Sequence, residues 1–368
     1  MRTKTLGPLL SLVLLLLGVG ACCPTQHRGE ALAVRDSSRV VVAYVTSWGQ
    51  RLPDPSLVTH VNYAFAHVTD DYRGVRIDSV PRLREVVGLR RQNPSLKVLL
   101  SVGGWGSSRF SEMAATDSTR RAFAADCRRV VDRFDLDGID LDWEYPGVPA
   151  AGISASPQDT AHLTLLLRDL RQALGTEHWL TLATDARARY YRLREALPYL
   201  DYVNIMSYDM AEAPLHHAAL YPSAQAPEGS CAQAVEAHLA AGVPPHRLVL
   251  GIPFYGHGTH EAPEDLSYRQ LLTLDSLEHR WDSVAQAPFL VHRTGRYVVC
   301  YDNPRSIAAK CRFLKTKGLR GAMYWECSHD DDRQSLARAV YEGVLQSPPK
   351  INETQGKRQR SIFSLPSG

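Results

Sequence analysis

FDLDGIDLDWEYPG, residues 134–147, has the apolar content of a buried strand yet carries Asp135, Asp137, Asp140, Asp142 and Glu144 within ten residues. In an extended strand side chains alternate between faces, so Asp140, Asp142 and Glu144 share one side, roughly 6.7 Å apart, while Ile139, Leu141 and Trp143 share the other. Three like charges on one side of a hydrophobic strand cost stability and push at least one carboxyl towards its neutral form. Two plainer readings are a solvated face on an edge strand and a calcium loop. A calcium loop of the EF-hand type needs a mid-loop Gly and a distant bidentate Glu, whereas here the acids alternate with Ile, Leu and Trp. The segment therefore reads as a barrel or sheet strand with a chemically committed acidic face, and Asp137, on the opposite parity from Asp140, reads as structural.

Around this strand one unit recurs, an apolar run followed by a helical stretch. The strand candidates are 39–48, 60–68, 96–105, 135–145, 179–186, 202–210, 247–256 and 319–326, with helix-like segments such as 118–134, 158–174 and 304–317 between them. Eight such units predict an α/β fold, a (β/α)8 TIM barrel over residues 39–346, whose active site lies at the downstream strand ends. The competing open doubly wound sheet needs a Gly-rich phosphate loop after an early strand. Gly103-Gly104 leads instead to Trp105 and continues into no GxGxxG. At 368 residues, 44% hydrophobic and 22% charged, the chain is long enough for the barrel. A formal charge of +3 with no basic run interleaved with aromatics excludes nucleic acid as the expected partner.

The downstream ends collect Tyr44, Trp48, Trp105, the acids up to Glu144, Asp185, Tyr208, Asp209, Tyr255 and Trp325. Any one of these alone is more often a packing or capping residue. Their coincidence at one end of consecutive strands points to a site.

The N-terminus reads as an export signal over residues 1–21: Arg2 and Lys4 precede the apolar run Leu9 to Val19, and Val19-Gly20-Ala21-Cys22 follows. The run is too short for a stable membrane span. Val-Gly-Ala-Cys is similar to a bacterial lipobox, which implies lipidation of Cys22, a linker over 22–38, and a lipoprotein on the periplasmic or outer membrane surface. Cleavage after Ala21 and simple secretion is the alternative. Cys127, Cys231, Cys300, Cys311 and Cys327 are odd in number and widely spaced, as separate packing residues would be.

Ser101-Val-Gly-Gly104, Asp137-Gly-Ile-Asp-Leu-Asp-Trp-Glu144, Met206-Ser-Tyr-Asp209 and Gly321-Ala-Met-Tyr-Trp325 together resemble four strand motifs of glycoside hydrolase family 18 chitinases, in that family's order. The resemblance implies hydrolysis of β-1,4 linkages in chitin or N-acetylglucosamine oligosaccharides. Breaking a glycosidic bond needs an acid for the leaving oxygen and a group to stabilise an oxocarbenium-like transition state, and in this family the substrate's own acetamido group supplies the nucleophile. By that resemblance Glu144 is the acid, Asp142 holds the acetamido N–H, Tyr208 donates to its carbonyl oxygen, and Asp140 with Ser101 and Tyr44 tunes Asp142. Trp325 is the expected floor under the reacting sugar, Trp105, Met206 and Tyr255 its walls, and Asp209 an acceptor for a sugar hydroxyl. Trp143, facing the other way, is expected to pack against helices.

The stretch from His257 to Asn303 exceeds a simple loop and resembles a shortened α+β insertion between strand seven and its helix, with a hairpin near residues 291–297. A shallow wall favours an open groove and cleavage within a polymer. No cofactor and no metal are expected: His216-His217 and His257-x-x-His260 have no companion acid in a recognisable motif and read as loop or groove residues. A monomer is expected, and residues 347–368 read as a disordered tail. Two other functions share these motifs: an endo-β-N-acetylglucosaminidase acting on N-glycans, and a non-catalytic sugar-binding barrel, although such barrels lack the acid that Glu144 supplies.

Overall fold

The barrel strands are buried on both faces, and alternation sorts their side chains into two cores. The computed structural model describes residues 38–259 and 265–346; the expected signal segment, Cys22, the 347–368 tail and His260 lie outside them. In chain order the elements are β1 (Val40–Thr46), β2 (His60–Val68), β3 (Val75–Ile77), α1 (Val80–Gly88), β4 (Lys97–Gly103), α2 (Phe110–Ala115), α3 (Asp117–Phe134), β5 (Gly138–Asp142), α4 (Asp159–Leu174), β6 (Trp179–Asp185), α5 (Leu193–Ala196), β7 (Tyr202–Met206), α6 (Cys231–Ala240) and β8 (Leu248–Pro253). An insertion follows, with β9 (Tyr255–Gly258), β10 (Asp265–Ser267), α7 (Tyr268–Leu271), β11 (Glu278–Asp282), β12 (Ala287–Val291) and β13 (Tyr297–Cys300). The chain then returns through α8 (Pro304–Lys317), β14 (Gly321–Trp325) and α9 (Ser335–Leu345).

Eight parallel strands run β1-β14-β8-β7-β6-β5-β4-β2, and pairing of β1 with β2 closes the ring. This is the (β/α)8 barrel. Val41, Ala43, Val45, Ile139, Leu141, Leu180 and Leu182 face outward into a core shared with the helices. Val40, Val42, Leu99, Ala183, Tyr202, Val249 and Met323 fill the interior. Trp143 belongs to the outer core, stacked on Phe110 of α2 with ring centroids 5.2 Å apart. The cysteines Cys127, Cys231, Cys300, Cys311 and Cys327 are buried and unpaired.

Local chemistry places the element ends. Asn303 caps α8 through the amides of Arg305 and Ser306, Pro304 occupies its first turn, and Gly318 ends it in the left-handed region. Asp135, φ 55°, stops α3, so β5 begins only at Gly138 rather than at 135. At the upstream end Asp137 accepts from the Val98 amide (2.8 Å), from Lys97 (3.1 Å) and from Arg90. That network is structural and lies at the end of the barrel away from Glu144.

Gly103 explains part of the Ser101–Gly104 motif. It pairs with Asp142 across β4 and β5, has φ +129°, and a Cβ there would lie 1.9 Å from the Asp142 carbonyl oxygen. Only glycine lets β4 approach the acidic strand so closely.

The insertion is a five-stranded antiparallel sheet ordered β10-β9-β13-β12-β11. The expected hairpin is its β12–β13 turn, where Val291 pairs with Tyr297. β8 ends at Pro253, so Tyr255 sits on β9 of this sheet and not, as the 247–256 run implied, on a barrel strand. Tyr208 and Asp209 likewise follow the end of β7 at Met206. Among the described residues no helix is long and apolar enough to cross a membrane.

Candidate active site

Register brings the interior polar residues into one layer. Ser101 pairs with Asp140, and Asp140 with Thr181. Asp140, fully buried, accepts at Oδ2 from the Tyr44 hydroxyl (2.8 Å) and the Ser101 hydroxyl (2.8 Å), and at Oδ1 from Asn204 Nδ2 (3.1 Å) and the Thr181 hydroxyl. Burial pushes its carboxyl up, and the four donors pull it part of the way back. Thr181 and Asn204 had no motif to announce them. Their signal was inward parity on β6 and β7, below the strand ends.

Asp142 lies one pleat nearer the open end. Burial, then the charges of Glu144 and Asp140, hold its carboxyl well above the usual range, and its Oδ1 is buried with no hydrogen-bond partner among the described residues. Glu144 follows just beyond the end of β5. Burial pushes it up to about 7, with the charge of Asp209 adding to the effect. A carboxyl titrating there holds a proton at neutral pH and can still release it, which suits a general acid. Tyr208 is buried; burial, then the charge of Asp142, keeps its phenol protonated, so its O–H is available to donate to a developing charge.

Aromatic rings line the mouth. Trp325 stacks on Phe65 at 5.6 Å and lies 5.7 Å from Tyr44 and 6.5 Å from Trp48. Trp105 stands 65% exposed at the rim, edge-on to Tyr145 at 6.3 Å, and Tyr145 stacks on Tyr190 at 4.9 Å. Met206 and Tyr255 are buried beside Tyr208, the two tyrosine rings 6.2 Å apart. The sequence alone did not single out Phe65, Tyr145 and Tyr190, whose position depends on strand ends meeting across the barrel. Asp185 instead secures a turn, accepting from the amides of Arg187 and Arg189 at 3.0 Å each.

Asp209 adopts φ +52°. Its Oδ1 accepts from Tyr255 (2.6 Å) and faces His257 Nε2 (2.8 Å) and His217 Nδ1 (3.2 Å). Burial alone would raise this carboxyl, but hydrogen bonds to His217 and His257, with Tyr255, outweigh it and hold Asp209 below the usual range.

Comparison with known proteins agrees with this geometry. The model of glycosyl hydrolases family 18 matches residues 40–330. The chain is 30% identical to Chitinase A1 of Niallia circulans over 84% of its own length, and spans 59% of that relative. It is 30% identical to Chitotriosidase-1 of Mus musculus, covering 82% of this chain and 75% of the other. The structure of a glycoside hydrolase family 18 N-acetylglucosaminidase from Paenibacillus barengoltzii superimposes with a TM-score of 0.76 at 34% identity, over 83% of this chain and all of that one. With its closed barrel, its buried acidic ladder on β5 and these matches, the chain belongs to glycosyl hydrolases family 18.

Proposed function

We propose that the protein hydrolyses β-1,4 linkages between N-acetylglucosamine units of chitin or chitooligosaccharides, within the polymer, with retention of anomeric configuration and with the substrate's acetamido group as nucleophile. One observation carries the reading: a buried carboxyl, Asp142, keeps an unpartnered oxygen beside an acid poised at about 7. Glu144 gives its proton to the glycosidic oxygen as the bond to the anomeric carbon breaks. The acetamido carbonyl oxygen attacks that carbon, Asp142 accepts the acetamido N–H, and Tyr208 donates to the oxygen. Water then opens the oxazolinium ring while Glu144, now a carboxylate, takes its proton. Asp140 sets the charge on Asp142 through the network with Tyr44, Ser101, Thr181 and Asn204. The apolar faces of the sugar rings lie against Trp325 and Trp105, which favours burial of both surfaces.

Relatives known as chitinases and chitotriosidase support the substrate class. The likeness to an N-acetylglucosaminidase favours a second reading, release of single sugars from a chain end. Products identified by mass decide among these. Chitohexaose should give dimers and trimers. Monomer alone would support exo action, cleavage of a high-mannose glycopeptide would support N-glycan hydrolysis, and binding without products would support a sugar-binding barrel. Export with lipidation at Cys22 completes the proposal and would hold the groove at a cell surface.

A further inference from the structure

Three donor atoms from separate parts of the chain converge beside the sugar-binding mouth: Asp209 after β7, His217 in the following loop, and His257 on β9, their ligand atoms all within 4.8 Å of one another. One carboxylate oxygen, Asp209 Oδ1, meets both rings. Asp209 Oδ1 lies 3.2 Å from His217 Nδ1, which donates to it in one tautomer and in the other accepts from the Asp209 backbone N–H at 3.4 Å. His257 Nδ1 meets the carboxylate of Asp265 at 2.9 Å, and its Nε2 meets that of Asp209 at 2.8 Å. A neutral imidazole carries one N–H and can donate to only one of these two carboxylates, so the other contact calls for a cation, a proton or a metal ion. Two imidazole nitrogens and one carboxylate oxygen form a donor set suited to zinc. Metal–ligand distances of roughly 2.0–2.1 Å at a tetrahedral centre put ligand atoms about 3.3 Å apart, and Asp209 Oδ1 lies 2.8 Å from His257 Nε2 and 3.2 Å from His217 Nδ1. Asp265 stands where an outer carboxylate orients a metal-bound imidazole, fixing Nδ1–H so that Nε2 points inward.

We propose that Asp209, His217 and His257 bind a divalent transition-metal ion, zinc by its donor chemistry, and that the bound ion inhibits hydrolysis by occupying the carboxylate that a sugar hydroxyl needs. In the sequence these histidines lack a companion acid; the acid is Asp209, eight residues before His217 and outside any metal-binding spacing. The inhibitory half rests on the proposed role of Asp209 in sugar binding, whereas the site itself does not.

Calorimetric titration of zinc chloride into the full chain, first stripped with chelator, tests the site. One ion per chain is expected, and His257→Gln should weaken it at least tenfold, with Asp265→Asn weakening it by about tenfold as loss of an orienting partner does. Asp209→Asn provides an independent loss of binding, and circular dichroism checks that each variant is folded. Absent binding, or binding unchanged in both His257→Gln and Asp209→Asn, would overturn the site. Where chitooligosaccharides are hydrolysed, zinc should raise the apparent KM of the wild type and have at least tenfold weaker effect on His257→Gln; equal inhibition of both would overturn the competition. A chain that binds zinc but hydrolyses none of these substrates would refute the functional reading and not the site.

Discussion

Two carboxyls stand two residues apart along the acidic face, and burial raises both. Asp142 is locked between Asp140 and Glu144, while Glu144 lies at about 7. Glu144→Gln keeps shape and hydrogen-bonding size, so steady-state assays should show turnover reduced by about 10²–10⁴-fold with oligosaccharide binding retained. Near-normal activity in the purified variant would refute the assignment. The same shift predicts a stability effect. The folded state favours the protonated carboxyl, so this contribution is complete below about 4.5 and is lost as pH rises through about 7. The stability of Glu144→Gln, read from thermal melts, should therefore gain on wild type between pH 5 and pH 8, by an amount on the order of 3 kcal/mol at most. A difference independent of pH would mean that Glu144 is not held neutral. Tyr208→Phe removes one donor to charge that develops in the transition state and should cost on the order of 10²-fold in turnover, read from kcat with little change in fold.

At the scale of elements, β4 and β5 form the part on which the site depends most. Gly103 allows their close approach, so Gly103→Ala must move either strand, by backbone clash and by an unfavourable φ. Thermal unfolding should show a loss of roughly 3 kcal/mol or more, with activity falling because Asp142 moves with its carbonyl. A melting point equal to wild type would show that the strands yield without strain. All eight barrel strands were legible in the sequence because a doubly buried parallel strand is a short apolar run between helical stretches. Their ends were less so. The runs 202–210 and 247–256 continue past β7 and β8 because Ser207, Tyr208 and Tyr255 are themselves buried, and apolar content does not record where ladder pairing stops. The insertion showed only its hairpin, since β9, β10 and β11 are short and β11 is polar, and the pairing of β9 with β13 joins residues distant in sequence. The same limit hid Thr181 and Asn204. Neutral side chains inside a barrel gain meaning only when register sets them against Asp140. The acids were legible because like charges along one face of an apolar strand are costly to bury, which is what makes such a face a candidate for chemistry.

On the scale of the whole molecule the barrel separates two tasks. Its upstream end holds Asp137 with Arg90, Lys97 and the Val98 amide, a network that ties β4 to β5, and its downstream end holds the acids, Tyr208 and the aromatic rim. The separation follows from strand direction, because every parallel strand delivers its last residues to the same mouth. The proposed anchor would act on the molecule as a unit. Wild-type protein expressed in a bacterium should sediment with membranes, and Cys22→Ala should be soluble or unprocessed; equal solubility with an identical mature N-terminus would contradict lipidation. The central claim is that the substrate's acetamido group, held by Asp142 and Tyr208, takes the place of an enzyme nucleophile. Proton NMR of chitooligosaccharide hydrolysis, recorded before the products mutarotate, tests it most directly: the account predicts that the first reducing ends formed are β-anomers, and an initial burst of α-anomer would contradict it.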